Sequence, residues 1–178
     1  MNAPRFQETG TGLRRDCMVE VKSVKIEKEE EMQVMIGHAG FIKTVEDIYE
    51  AIVGSVPGIR FGLAFSEASG PCLVRSEGND SRLKELAERN VLAIGAGHTF
   101  VIIFMSAYPI NVNNAVKSVP EVVSIYCSTA NSVEVIIGQT GQGRSILGIT
   151  DGSQPKGLES DEDRAKRKKF LREIGYKM

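Results

Sequence analysis

From Val19 the chain alternates, with Val19, Val21, Val24 and Ile26 interleaved with Glu20, Lys22 and Lys25. This is close to the period of two of a half-buried strand. The residues before it, 1–18, show no period and carry Pro4, Gly10, Gly12 and Arg14-Arg15; they read as a loose tail or extension outside the fold. After an acidic connector, Met32 to Ile36 predicts a second short strand. Thr44 and Asp47 have capping-box spacing, and Val45, Ile48, Ala51 and Ile52 then recur at helical intervals until Val56-Pro57-Gly58 stops the helix. Phe61 to Phe65 and Cys72 to Ser76 predict two strands joined by a turn at Ala68 to Pro71. Asp80 or Ser81 caps a helix whose stripe is Leu83, Leu86, Ala87, Val91 and Ile94, ending at Gly95-Ala96-Gly97.

Thr99 to Met105 is apolar on both faces, which predicts a central strand. Pro109 opens a helix with Val112, Ala115, Val116 and Val119 along one side. Strands follow at Val122 to Cys127, Val133 to Ile137 and Ser145 to Thr150, with a glycine-rich turn at Gly138 to Gly143. Ser160 and Asp163 cap a terminal helix, acidic at its start and basic after Arg164, with Phe170, Leu171 and Ile174 as its anchoring face. These elements predict one α/β domain over 19–178, a layered sandwich with a mixed β-sheet and flanking helices.

Composition narrows the classes. At 178 residues there is room for a single sizeable core without disulfides or metal. Basic and acidic residues number 22 and 23, so the basic excess expected of a nucleic-acid surface is missing. No apolar run approaches about 18 residues, which argues against a membrane helix, and the start lacks the apolar core of a secretory signal. Cys17, Cys72 and Cys127 are widely spaced with no C-x-x-C. That pattern fits a reducing cytoplasm rather than a disulfide scaffold or zinc site.

Imidazole chemistry has two candidates, His38 in Gly37-His38-Ala39-Gly40 and His98 after Gly95-Ala96-Gly97. Glycines allow a ligand close to the backbone, and a neutral imidazole is a nitrogen nucleophile suited to accepting phosphorus. The plainer alternative is a histidine bonded to a carbonyl at a strand end. There is no G-x-x-x-x-G-K-[ST], and Gly95-Ala96-Gly97 follows a helix and precedes a strand, the reverse of a dinucleotide fold. Gly138 to Arg144 could cover phosphates and supply Arg144 as a clamp, or be a hairpin turn. Lys43 precedes a helix start where it could meet an anion. Ser66 and Glu67 end a strand, and Glu67 could bind a sugar hydroxyl or accept a proton. Asn111 lies in a first helical turn, where it could contact a ligand or cap. Asp151-Gly152 is a candidate metal-phosphate ligand or a common turn.

Taken together, F-I-K-T-V-E-D-I-Y-E-A-I-V (Phe41 to Val53), V-P-G-I-R-F-G-L-A-F-S-E-A-S-G (Val56 to Gly70), A-G-H-T-F-V-I (Ala96 to Ile102), Y-P-I-N-V (Tyr108 to Val112), V-P-E-V-V-S-I-Y-C-S-T-A-N (Val119 to Asn131) and G-Q-G-R-S-I-L-G-I-T-D-G (Gly141 to Gly152) resemble the adenosine-specific kinase family. The resemblance runs from about Val19 to Met178. It implies a compact α/β domain that forms a symmetric homo-oligomer, binds adenosine or AMP and carries a phosphorylatable histidine, matched here by His98. One segment departs: the family pattern G-Q-A-H-F reads Gly37-His38-Ala39-Gly40-Phe41 here.

The expectation is therefore phosphoryl transfer to or from adenosine through a phosphohistidine at His98, with ATP or another phosphate donor, and with Lys43 and Arg144 offsetting charge on the phosphoryl oxygens. Glu67, Ser66, His38, Asn111 and Asn131 are the expected substrate contacts, and Asp151 the expected Mg2+ ligand. The competing expectation is a non-catalytic adenosine- or AMP-sensing protein.

Overall fold

The computed structural model describes residues 19–178, so the expected tail at 1–18 lies outside the described residues. Eight strands and four helices follow in the order β1 (Glu20–Lys25), β2 (Gln33–Ala39), α1 (Thr44–Ser55), β3 (Arg60–Ser66), β4 (Val74–Gly78), α2 (Ser81–Ile94), β5 (Thr99–Met105), α3 (Pro109–Lys117), β6 (Val122–Thr129), β7 (Val133–Gln139), β8 (Arg144–Asp151) and α4 (Asp161–Glu173). The α/β class and the layering agree with the sequence pattern. The mixed sheet does not. Two sheets form instead, β4-β3-β5-β2-β6 and β1-β7-β8, and every strand neighbour in both is antiparallel.

The reason lies in three interrupted crossovers. β2 and β3, joined through α1, both run antiparallel to β5, which sits between them. In the same way β3 separates β4 from β5 across α2, and β2 separates β5 from β6 across α3. Each helical connection returns the chain parallel to the strand it left, yet a third strand takes the intervening position. Alternation of strands and helices is thus compatible with a wholly antiparallel ladder.

Alternation across the central strands builds two cores. On one face Val34, Ile36, Ala64, Val101 and Ile103 meet Leu83, Ala87, Val91 and Ile94 of α2 and Val133, Val135 and Ile137 of β7. On the other, Met35, Leu63, Phe65, Phe100, Ile102 and Phe104 meet Val45, Ile48 and Ile52 of α1 and Val112 and Val116 of α3. β5 is buried on both sides, as its unbroken apolar run requires.

Three local expectations change. β2 does not end at Ile36 but continues through Gly37 and His38 to Ala39. A Cβ on Gly37 would stand 2.3 Å from the Phe100 ring, so the glycine admits that ring, and the pairing with β6 shifts register beside it. At α1 the predicted capping box is not formed: Thr44 is already helical, and its hydroxyl donates to the Phe41 carbonyl at 2.7 Å. α4 has its Ser160–Asp163 capping box but buries no residue, and Phe170 is exposed rather than anchoring. The chain beyond α4 is held by Tyr176, whose hydroxyl accepts from Asn111 and whose ring meets Tyr108 edge-on. No helix among the described residues is long and apolar enough to cross a membrane.

Candidate active site

α2 stops where Gly95 takes a left-handed turn (φ 62°), and the chain enters β5 through Ala96, Gly97 and His98. A Cβ at Gly97 would lie 2.8 Å from that of Ala68, so this glycine lets the segment after β3 close against the start of β5. His98 is itself left-handed at φ 59°, an uncommon conformation for a residue other than glycine. Its neighbours hold it there. The His98 N–H donates to the Ser66 carbonyl at 2.7 Å, and the His98 carbonyl accepts from Ala39 N–H at 2.9 Å.

The ring is set by three side chains. Phe65 lies parallel to it, 7° from coplanar with centroids 5.9 Å apart. His38 meets it edge-on at 5.8 Å. Glu67 places Oε1 3.6 Å from His98 Nε2. The carboxylate is fixed in turn: Oε1 accepts from Ala68 N–H and Ser69 hydroxyl, and Oε2 pairs with Arg75 at 3.1 Å. Burial tends to raise the Glu67 pKa, but the Ser69 and Ala68 hydrogen bonds and the Arg75 charge carry it below the ordinary carboxylate value. Arg75 also donates to the Ile42 carbonyl at 2.8 Å, tying β4 to the segment after β2.

Two clefts open on either side of Glu67. One, about 470 Å³, is walled by Gly40, Phe41, Ile42, Pro71, Arg75 and His98. The other, about 560 Å³, runs from Ser66 and Cys72 to the Thr140–Ser145 loop. An imidazole, a fixed carboxylate and a guanidinium beside an open cleft are suited to nucleophilic or proton-transfer chemistry.

Comparison with known proteins now bears on this geometry. The profile of the family described as "Adenosine specific kinase" matches residues 24–177. The chain belongs to that family. It is also similar to a crystal structure of the PH1918 protein from Pyrococcus horikoshii OT3, at 44% identity and a TM-score of 0.87, covering 90% of this chain and 99% of that one. No curated protein matches the chain.

For an adenosine specific kinase family member, the placement of the expected residues is informative. His98, His38, Glu67 and Ser66 do converge. Lys43 does not line either cleft; its ammonium bonds Asp47 and, at 2.6 Å, Glu121, and these two partners push its pKa up. Arg144 lines the second cleft, but its Nη1 reaches the Ala93 and Ile94 carbonyls at the end of α2 at 3.3 and 3.4 Å, and Nε bonds Gln139. Asn111 caps α3, accepting the Tyr108 N–H at 2.8 Å. Asn131 and Thr129 both donate to Asp151 Oδ1 at 2.9 Å, bracing the β6–β7 turn. Asp151 ends β8, about 24 Å along that strand from Arg144 at its start. Among the described residues no three His, Cys, Asp or Glu side chains gather into a metal cage. Mg2+ usually takes one or two carboxylates together with substrate phosphates, and Asp151, already bonded by Thr129 and Asn131, stands at the far end of β8 from the cleft that Arg144 lines.

Sequence reasoning passed over Arg75 and Glu121. Arg75 pairs across the hairpin with Phe65, so a cation in the strand opposite the site was its only local signal. Glu121 left none: it is buried, its Oε2 has no hydrogen-bond partner, and its backbone carbonyl receives the Gly40 N–H. The departure at Gly40 also acquires a physical meaning. A Cβ at Gly40 would stand 3.7 Å from His98 Nδ1, and His38, two residues earlier, touches the same ring. Positions 38 and 40 therefore address one imidazole, and a histidine is still present against it.

Burial first, and His98 second, hold the His38 pKa below its ordinary 6.5. The unfolded chain then binds this proton more readily, so stability is lost as pH falls through 6.5 toward the folded value. His38→Gln is expected to flatten the fall in melting temperature between about pH 7.5 and 5.5. Identical slopes in the two proteins would refute it.

Proposed function

We propose that the protein transfers a phosphoryl group to adenosine through a phosphohistidine at His98. The observation that carries this reading is the His98 imidazole, stacked on Phe65 beside the ionised Glu67 at the edge of an open cleft. Arg75, rather than Lys43 or Arg144, is the cation that lines the same cleft and pairs with the carboxylate beside it. A nucleoside triphosphate would supply the phosphoryl group; the imidazole displaces the nucleoside diphosphate, and a hydroxyl of adenosine then attacks the phosphorus, regenerating His98 and releasing AMP. His38, disposed to be neutral, accepts the proton that this hydroxyl sheds. Phe41 and Ile42, exposed and apolar at the cleft mouth, offer a surface for the purine. The homo-oligomer implied by the family would cover exposed Val123 and Tyr126 on the edge strand β6.

A second reading is favoured by one observation. Lys43 and Arg144 are both committed to protein partners, and Arg75 is paired with Glu67. Among the described residues that line the two clefts, few cations are free for phosphoryl oxygens, as suits a protein that binds adenosine or AMP without turning it over. Incubation with ATP, magnesium and adenosine separates the two: AMP and ADP in equal amounts are expected. A thermal shift with adenosine but no AMP would favour the sensor, because a ligand bound by the folded state stabilises it with or without turnover.

A further inference from the structure

We infer that Nδ1 of His98 is the nitrogen that accepts phosphorus, and that Glu67 is a positioning residue that selects it by keeping the proton on Nε2. This rests on the phosphohistidine reading above and adds the atom and the group that chooses it.

A neutral imidazole has one N–H and one lone pair, and the surroundings of each nitrogen decide which is which. Here the ring has little choice of orientation. Its backbone is bonded on both sides to Ser66 and Ala39, its face rests on Phe65, and its edge meets His38. The two nitrogens consequently look at different chemistry.

Nε2 looks at Glu67. That side chain is only 10% exposed, and its carboxylate is already anchored by Ala68, Ser69 and Arg75. An ionised carboxylate can only accept, so a lone pair on Nε2 would face an anionic oxygen at 3.6 Å, whereas an N–H there faces an acceptor. A closure of about half an ångström would make it a charge-assisted hydrogen bond.

Nδ1 looks the other way, at Gly40. The nearest added atom there, a methyl carbon, would stand at 3.7 Å, and Gly40 carries none. Among the described residues no donor bonds Nδ1. The space beside it belongs to the cleft that Gly40, Phe41, Ile42 and Arg75 share with His98. The lone pair thus faces the side of the ring that Gly40 leaves open, in a cleft that Arg75 also lines.

The step balances without a proton transfer at the reacting nitrogen. The Nδ1 lone pair forms the N–P bond, the bond from phosphorus to the bridging oxygen breaks, and that electron pair leaves with the nucleoside diphosphate. Nε2 keeps its proton, and the positive charge that develops on the ring lies against Glu67, which offsets it as a carboxylate does for an imidazolium. Transfer onward breaks Nδ1–P, and Nδ1 recovers the pair.

The test uses the full chain labelled with 15N. In the free protein, the His98 nitrogen shifts are expected to show Nε2–H favoured by about tenfold or more over Nδ1–H. Glu67→Gln is expected to bring that ratio towards one, because a carboxamide can donate as well as accept. Gly40→Leu, which leaves Glu67 in place, is expected to retain the Nε2–H form yet slow phosphate uptake. After incubation with magnesium ATP, phosphorus is expected on Nδ1. Phosphorus on Nε2 would overturn this inference while leaving the phosphohistidine reading intact. No phosphorus on His98 would overturn both. An Nδ1–H form in the free protein, or a ratio that Glu67→Gln does not move, would remove Glu67 from the role even if phosphate is incorporated.

Discussion

His98→Asn is expected to lower both phosphate incorporation from ATP and AMP formation by about 10³-fold or more, since a lost nucleophile removes the covalent route altogether. Asparagine is the informative replacement because of the backbone. At φ 59° most side chains are strained, but asparagine tolerates this region well. The two hydrogen bonds that hold residue 98 run from its N–H to Ser66 and from Ala39 to its carbonyl, and neither uses the imidazole. Fold and cleft are therefore expected to survive, with melting temperature little changed, while the chemistry disappears. Adenosine binding by thermal shift should persist in the same variant. Full phosphate incorporation in His98→Asn would remove the phosphohistidine from the reading, and a collapse in melting temperature would mean that the ring is chiefly structural.

The largest effect on stability is expected at Gly62, in the middle of β3. A Cβ added there would lie 2.0 Å from the Lys84 nitrogen and 2.2 Å from the Leu83 carbonyl carbon. Both are backbone atoms of α2, which cannot swing aside as a side chain can. Gly62→Ala would push the first turns of α2 off the sheet and disturb the core made by Leu83, Ala87 and Val91. Overpacking of this kind is expected to cost about 3 kcal/mol, a fall of roughly 6–12 °C in melting temperature for a chain of this size. Thermal unfolding measures it directly, and a change below about 2 °C would mean that strand and helix are not in contact as described. Function is expected to follow stability at this position. α2 delivers Gly95, Ala96 and Gly97 to His98, so a displaced helix displaces the imidazole.

The parts of the site legible in sequence were those marked by local backbone chemistry. Glycines before His98 signalled a close approach, and Ser66 and Glu67 stood at the end of a strand with the expected alternation. The helix stop at Gly95 and the cap at Asp80, which accepts the Leu83 N–H at 3.1 Å, were equally local. Lys43 and Arg144 illustrate the opposite case. Both had the right charge in a plausible loop, but a charge does not announce its partner. Glu121 is 78 positions from Lys43, and the Ala93 carbonyl is 51 from Arg144. Those long-range bonds satisfy cations that the sequence left free, and Arg75, unremarked in its strand, is instead brought to Glu67 and to the cleft that His98 lines.

Alone, the amino-acid order determined which segments are strands and helices, which residues face a core, and that an imidazole stands at a glycine-rich entry to the central strand. It could do so because periodicity, caps and turns depend on residues within a few positions of one another. Only the tertiary structure decided that β5, β3 and β2 would interpose between the strands their neighbours connect, making both sheets antiparallel. It also decided that Glu67 and Arg75 would frame His98 while Asp151 and Asn131 brace a distant turn. Such choices follow from burying two sheet faces at once, and a face buried by residues far along the chain leaves no mark in the local pattern.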